Sequence, residues 1–430
     1  MPEGLCDAVV IINEGIITDI TDHIPDGIDE VIDLEDKILM AGVIDPHVHI
    51  NEPGRTEWEG FDTATKAAIA GGVTTLIDMP LNSSPVTTTV AALNKKREAT
   101  KGQLHTNCGF WGGIIPGNID EIQPLADNGV RGFKAFLTHS GIDEFPNVTE
   151  SDLRKAMPII ARNKLPLLVH CELTNAIPTG HGTINVRSYA NYLASRPRQW
   201  EDDAIALMIR LCEEFDCPVH IVHLSSSNSL HQVEEAKKKG LPLTAETGQH
   251  YLYFNAESIA EGQTQFKCAP PIREKENNEQ LWQALKDGII DFVATDHSPC
   301  TPELKELSSG NFMKAWGGIA SLQFALPVLW TSAKARHCSV TNIAKWLCES
   351  PAKLARLSKR KGQIKKGFDA DLIAWSDRQS FKVTEESILH KHKVTPYLGE
   401  TLFGVVEQTF LAGEKVFDKG RLVLNRGCMI

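Results

Sequence analysis

Nowhere in the sequence does an apolar run approach the ~20 residues that a membrane-crossing helix needs, and the opening MPEGLCDAVV lacks the charged and apolar regions of a secretory leader. No membrane partner is expected. The ten cysteines include no C-x-x-C pair, so their reading is reduced thiols within apolar runs. Basic residues are outnumbered, 44 against 55, and no Lys/Arg stripe interleaves with aromatics. Phosphate-backbone binding needs such a stripe, so no nucleic acid is expected either. Internal repeats and low-complexity tracts are also missing. The rest is ordinary globular composition, 42% hydrophobic and 23% charged, over 430 residues. That length and composition fit one large domain with a smaller appendage and a sizeable buried core. The expected location is intracellular and soluble, in the cytoplasm. The ending GCMI is neither a peroxisomal tripeptide nor a prenylation box, and peroxisome and mitochondrion stay open.

From residue 43 onward, short β-rich runs alternate with segments of helical period, the pattern of βα units. The runs are VIDPHVH (43–49), VTTLIDM (73–79), LHTNCGF (104–110), GFKAFL (132–137), PLLVHCE (166–172), CPVHIVHL (217–224), LPLTAET (241–247) and IDFVATD (290–296). Closure into an α/β barrel of the (β/α)8 type removes both sheet edges and is favoured over an open sheet. The ends differ. Residues 1–42 and 356–430 carry short alternating strands such as GIITDI, ADLIAW and EKVFD, expected to form one small β-sandwich domain around a barrel of residues 43–355. The cluster KRKGQIKK (359–366) reads as a solvated linker.

Active sites of such barrels lie at the carboxyl ends of the strands. His47 and His49, two apart on the first strand, project from one face of the pleat and suit a shared metal. His170 and His223 end the fifth and sixth strands, and Asp296 ends the eighth. A buried carboxylate there needs a cation. Lys134, among apolar neighbours, is expected to lose its proton readily and react as a free amine. Each residue alone has a commoner reading as a satisfied structural group. Six of them at the ends of five strands point to one metal-hydrolysis site.

The string DPHVH, GFKAF, VHCE, HIVHLSS and ATDHSP resembles the cyclic amidohydrolases, the group of dihydroorotases, dihydropyrimidinases, hydantoinases and allantoinases, along nearly the whole chain. INEPGRTEWEGF (50–61), DMPLNSSP (78–85), FKCAPPIR (266–273) and GNFMKAWGGIASLQ (310–323) are most similar to the allantoinase branch. The resemblance implies two Zn²⁺ ions per subunit, with Co²⁺, Mn²⁺ or Fe²⁺ satisfying the same ligand types. His47, His49 and Asp296 would bind one ion, and His170 and His223 the other. Lys134, carboxylated on its amine, would bridge them. It implies hydrolysis of the hydantoin ring of (S)-allantoin to allantoate by a bridging hydroxide with Asp296 as general base and acid, in a homotetramer. Dihydroorotases carry an arginine two residues beyond the histidine pair to hold a substrate carboxylate, and Asn51 stands there instead. About twenty more residues ahead of VVIINEGIITDI are also implied. For a ring of alternating N–H and carbonyl groups, candidate contacts are Asn82, Ser298 and the backbone at Cys268 and Gly317. The stretch MKAWGGIA reads as helix-forming, with Trp316 as a candidate pocket wall. Two alternatives stay open: a dihydropyrimidinase or hydantoinase using the same metals, and a non-catalytic scaffold of the same fold.

Overall fold

β-branched runs bounded by Gly, Asn and Pro become short strands, and helical segments between them bury one face against the sheet they create. The computed structural model describes residues 4–174 and 185–430. Eight strands run parallel: Val43–Val48, Val73–Asp78, Asn107–Phe110 continued by Gly112–Gly113, Phe133–Phe136, Leu167–His170, Val219–Ile221, Leu243–Gly248 and Phe292–Ala294. Neighbours pair in chain order. A parallel bridge joins Val48 to His297, and His49 N–H donates to the His297 carbonyl at 2.8 Å. The last strand thereby closes on the first, and the expected α/β barrel is observed. Each strand overlaps its run read from the sequence, with Gly112–Gly113 and Gly248 extending beyond the third and seventh runs.

Ile44, Ile77, Leu168, Val222 and Phe292 fill the barrel interior. Outside it, Val73, Leu76, Val169 and Ile221 pack with Phe61, Leu153 and Ile205 from the helices Phe61–Ala70, Glu150–Arg162 and Arg198–Phe215. Full burial of such a side chain contributes about 1.5–3 kcal/mol. The helix Glu150–Arg162 starts at a reciprocal cap between Thr149 and Asp152, which satisfies two otherwise orphaned N–H groups. Among the described residues no helix is long and apolar enough to cross a membrane.

The terminal segments pair antiparallel. Ile38–Ala41 lies against Leu372–Lys382, which is followed in the sheet by Thr401–Leu411, Glu414–Asp418 and Arg421–Leu422. The hairpin of Val9–Asn13 and Ile16–Thr21 is a sheet of its own. Its Ile17 packs on Phe368, Ala370, Leu372 and Phe410, and Ile17 N–H donates to the Phe368 carbonyl at 2.8 Å.

Two local expectations need correction. Within KRKGQIKK, Lys361 is buried, paired with Asp371 and, at 2.9 Å, with Asp369. Two aspartates beside one apolar sheet edge require that cation, so the cluster is more than a solvated linker. The stretch MKAWGGIA forms turns and a single bridge residue instead of a helix. Its carbonyls at Met313, Ala315, Trp316 and Gly318 accept from two lysine side chains, and paired glycines lower helix propensity.

Burial of two further histidines has a consequence for acid stability. His250 and His390 are fully buried, and among the described residues the His250 ring nitrogens have no hydrogen-bond partner, while His390 has at most a weak contact with the His392 backbone. Burial pushes both imidazoles from 6.5 down to about 3. Between those values the unfolded chain binds protons that the folded chain refuses. Stability is therefore full above about pH 6.5 and is lost as pH falls toward 3. His390→Phe, which removes the buried imidazole beside Phe324, is expected to flatten that acid limb in denaturant titrations at pH 7 and pH 4.5. Parallel pH profiles of variant and parent would refute the assignment.

Candidate active site

Side chains leaving the carboxyl ends of parallel barrel strands converge on one rim, and here the rim gathers all six residues picked out above. His47 lies in the first strand and His49 just beyond it, Lys134 in the fourth strand and His170 at the end of the fifth. His223 and Asp296 follow the sixth and eighth strands. All are buried, from 0% exposure at Lys134 to 7% at Asp296. The imidazoles form a chain: ring centres are 5.6 Å apart for His47 and His49, 5.4 Å for His47 and His223, and 4.6 Å for His170 and His223. Asp296 Oδ1 stands 3.3 Å from His47 Nε2 and 3.7 Å from His49 Nε2. One ligand atom from each of these three lies within 4.8 Å of the others, a spacing one metal ion spans. Left-handed φ values of +40° at His223 and +46° at Asp296 hold the chain where it turns out of the strands. Residues with side chains adopt that region at a cost, and such strain concentrates at functional sites.

Outer partners orient these rings. Glu246, from the seventh strand, accepts from His47 Nδ1, and its other oxygen is 3.1 Å from His220 Nε2. His49 Nδ1 donates to the Leu81 carbonyl at 3.0 Å. Both contacts fix the proton on Nδ1 and turn the Nε2 lone pair toward Asp296, the arrangement in which imidazole ligates metal. His170 Nε2 meets Glu172 at 2.8 Å, and Glu172 is held in turn by Arg196. Behind Asp296, His297 Nδ1 accepts from Ser321 N–H at 3.0 Å and Leu322 N–H at 3.2 Å. The His297 proton therefore sits on Nε2, 3.6 Å from buried Glu59.

Protonation follows from burial. Burial and neighbouring histidine charge push His49 and His223 well below the ordinary imidazole value. Burial takes His170 down to about 4 against the pull of Glu172. These rings are neutral at pH 7 and free to donate lone pairs. Burial raises the Asp296 carboxyl, and it lowers Lys134 from 10.5 to about 8 against Glu246 and Asp296. Glu246 is held well below the carboxylate range: burial acts upward, but His47 and His220 outweigh it. Lys134 Nζ and His223 Nδ1 are buried with no hydrogen-bond partner among the described residues. Such orphans are costly unless something else completes them. They stand beside the His47, His49 and Asp296 cluster, which fits a metal ion.

The substrate candidates stand on the same rim. Asn82 is buried; its Nδ2 donates to Asn51 Oδ1 at 3.3 Å and its Oδ1 has no partner. Asn51 donates on to the Pro299 carbonyl at 3.2 Å, so a neutral amide, paired with that of Asn82, stands two residues beyond His49. Gly317 packs beside Cys268 and Ala269, and Gly318 presses on Ser298 so closely that a Cβ there would lie 2.3 Å from its carbonyl oxygen. Trp316 is half-buried, edge-on to Trp58 at 4.8 Å. A separate cavity of about 400 Å³ opens at the other end of the strands, lined by Pro166, Pro218, Pro242 and Asp291; it holds none of these groups.

Glu246, Glu172 and Glu59 were not singled out by sequence reasoning. Glu246 carried a signal, an acid at the end of the apolar run LPLTAET. Replacing it with glutamine is expected to lower metal affinity about 10–100-fold, because His47 loses the anion that orients it. Chelator competition reads this directly, and unchanged affinity would remove Glu246 from the site.

The described geometry has counterparts. The model of the Amidohydrolase family matches residues 38–416. An allantoinase from Streptomyces avermitilis is 44% identical over 432 residues, spanning 100% of this chain and 96% of that one. An allantoinase from Arabidopsis thaliana is 44% identical over 98% of this chain and 87% of its own. Among solved structures, an L-hydantoinase (dihydropyrimidinase) from Arthrobacter aurescens superposes with a TM-score of 0.92 at 28% identity, covering 100% of this chain and 96% of that one.

Proposed function

The chain belongs to the amidohydrolase family, and from that premise we infer that it is a hydrolase of cyclic amides that opens the hydantoin ring of allantoin to give allantoate. One observation carries the reading: six buried ligand-type groups stand together in a chain 44% identical over its whole length to an allantoinase. On this reading His47, His49 and Asp296 would hold one Zn²⁺, and His170 and His223 the other. Lys134, carboxylated on Nζ, would supply an anionic ligand to them. A bound metal pair supplies Lewis acidity toward the ring carbonyl and lowers the pKa of water toward ~7.

The chain's own groups do the rest. Asp296 takes the proton that the attacking water loses and returns it to the departing ring nitrogen. Lys134, lowered to about 8, has a free-amine fraction near neutral pH, and that form adds carbon dioxide to become an anion. Asn82 Oδ1, buried without a partner, accepts from a ring N–H. Backbone groups at Cys268 and Gly317, with Ser298, meet the ring carbonyls. A neutral site suits a neutral ring, and no guanidinium is needed where Asn51 stands. We further propose a homotetramer, for which exposed Leu422, Val423 and Leu424 offer apolar surface; light scattering on the purified protein gives its mass.

Purified enzyme offered allantoin, hydantoin and dihydrouracil separately tests the substrate. The expected result is the highest kcat/KM on allantoin. A clear preference for dihydrouracil would make the chain a dihydropyrimidinase, and fewer than about one metal per chain after zinc and bicarbonate supply would make it a scaffold.

A further inference from the structure

Lys305 is a buried cation, 3% exposed, with no carboxylate in ion-pair reach among the described residues. Its ammonium donates instead to three backbone carbonyls: Lys267 at 2.9 Å, Trp316 at 2.9 Å, and Gly318. Three acceptors match the three N–H bonds of the charged form, whereas a free amine has only two. Burial pushes the amine down to about 8 against the neighbouring Cys300 and Cys268 thiols. A buried charge without a counterion is costly, so what this one holds is informative. The Lys267 carbonyl precedes Cys268. The Trp316 and Gly318 carbonyls flank Gly317. A single ammonium thus ties together the two peptide segments assigned above to the substrate ring.

Lys267 gives a natural comparison. Its own ammonium binds the Ala315 carbonyl at 2.6 Å and the Met313 carbonyl at 3.3 Å and lies 5.0 Å from the Tyr192 ring. It staples the same loop, but farther from Gly317. The carbonyl it lends to Lys305 belongs to its backbone and survives any change of side chain.

We propose that Lys305 is a positioning residue for substrate, setting the separation of the Cys268 and Gly317 backbones so that both face the hydantoin ring. This rests on the allantoin reading and deepens it. Displacements of about 1 Å in a binding group cost up to about a hundredfold. Lys305→Met is therefore expected to raise KM for allantoin at least about tenfold, with metal content unchanged and kcat reduced far less. Lys305→Gln, which keeps two N–H donors, is expected to fall between Met and the parent. Lys267→Met is expected to lower thermal stability while keeping KM within about threefold. A purely structural role for Lys305 would instead reduce the active fraction at constant KM.

Steady-state kinetics on the zinc-loaded enzymes, with metal analysis and thermal melts, decides. An unchanged KM in folded, metal-replete Lys305→Met, an equal KM rise in Lys267→Met, or failure of both Lys305 variants to fold would each overturn the proposal. A parent enzyme inactive on allantoin would instead overturn the substrate reading, so the two failures are distinct.

Discussion

Asp296→Asn is expected to lower kcat/KM for allantoin about 10⁴-fold while the fold is kept. Asparagine matches the carboxylate in shape, so the backbone at φ +46° and the packing around it are preserved. What changes is chemistry at one oxygen. Oδ1 is the atom that lies 3.3 Å from His47 Nε2 and 3.7 Å from His49 Nε2, and an amide there neither carries negative charge nor shuttles a proton. A loss of that size is about 5 kcal/mol of barrier, more than ligand displacement of one weak contact supplies. Far-UV circular dichroism and metal analysis on the same sample separate lost chemistry from lost metal. Retained activity within about tenfold would show that another group moves the proton. The raised carboxyl adds a pH dependence to metal binding: burial raises the metal-free carboxyl, a bound cation favours its ionised form, and protons compete with the metal for it at acid pH. Metal affinity is therefore expected to weaken as pH falls into the acid range, measured by metal titration over a pH series.

Lys134→Ala is expected to cost at least about a thousandfold in kcat, about 4 kcal/mol. The side chain is fully buried and its Nζ has no hydrogen-bond partner among the described residues, so truncation breaks no hydrogen bond among them and leaves a hollow lined by Phe136, whose ring is 5.0 Å from Nζ. If the amine acts as a carbamate anion, a small carboxylic acid such as propionate restores part of the activity by occupying that hollow. Lys134→Met fills the hollow with an apolar chain and is not rescued. Full activity in the alanine variant, or equal response of both variants to propionate, would contradict the carbamate role.

The sequence exposed the barrel and the six residues gathered at its rim for the same reason. A parallel strand is short and apolar, so a histidine, lysine or aspartate at its end stands out against its own neighbours, as in LLVHCE and FVATDHSP. Groups that act from behind were harder to see. Glu246 pairs with His47 across 199 positions, and strand identity alone does not say which side chains of the first and seventh strands face one another. His297 and Glu59 meet only because two loops fold over the rim. MKAWGGIA misled because local propensity favours a helix over most of its length, whereas Lys267 and Lys305, themselves 38 residues apart, claim the carbonyls a helix would need. Lys361 misled in the opposite sense: its partners Asp369 and Asp371 follow in sequence, but only the antiparallel sheet buries them.

The pairing of Ile38–Ala41 with Leu372–Lys382 also has a consequence for synthesis. A ribosome adding about 5–20 residues per second takes roughly 15–65 s to traverse the intervening chain. Throughout that interval the apolar segment ILMA has left the tunnel while its sheet neighbour does not yet exist. The barrel strands beside it can begin to assemble in the meantime, but the edge it presents stays open to any other extended chain. Cotranslational chaperone contact is therefore expected to concentrate at this segment and to end only once the strand Leu372–Lys382 has emerged.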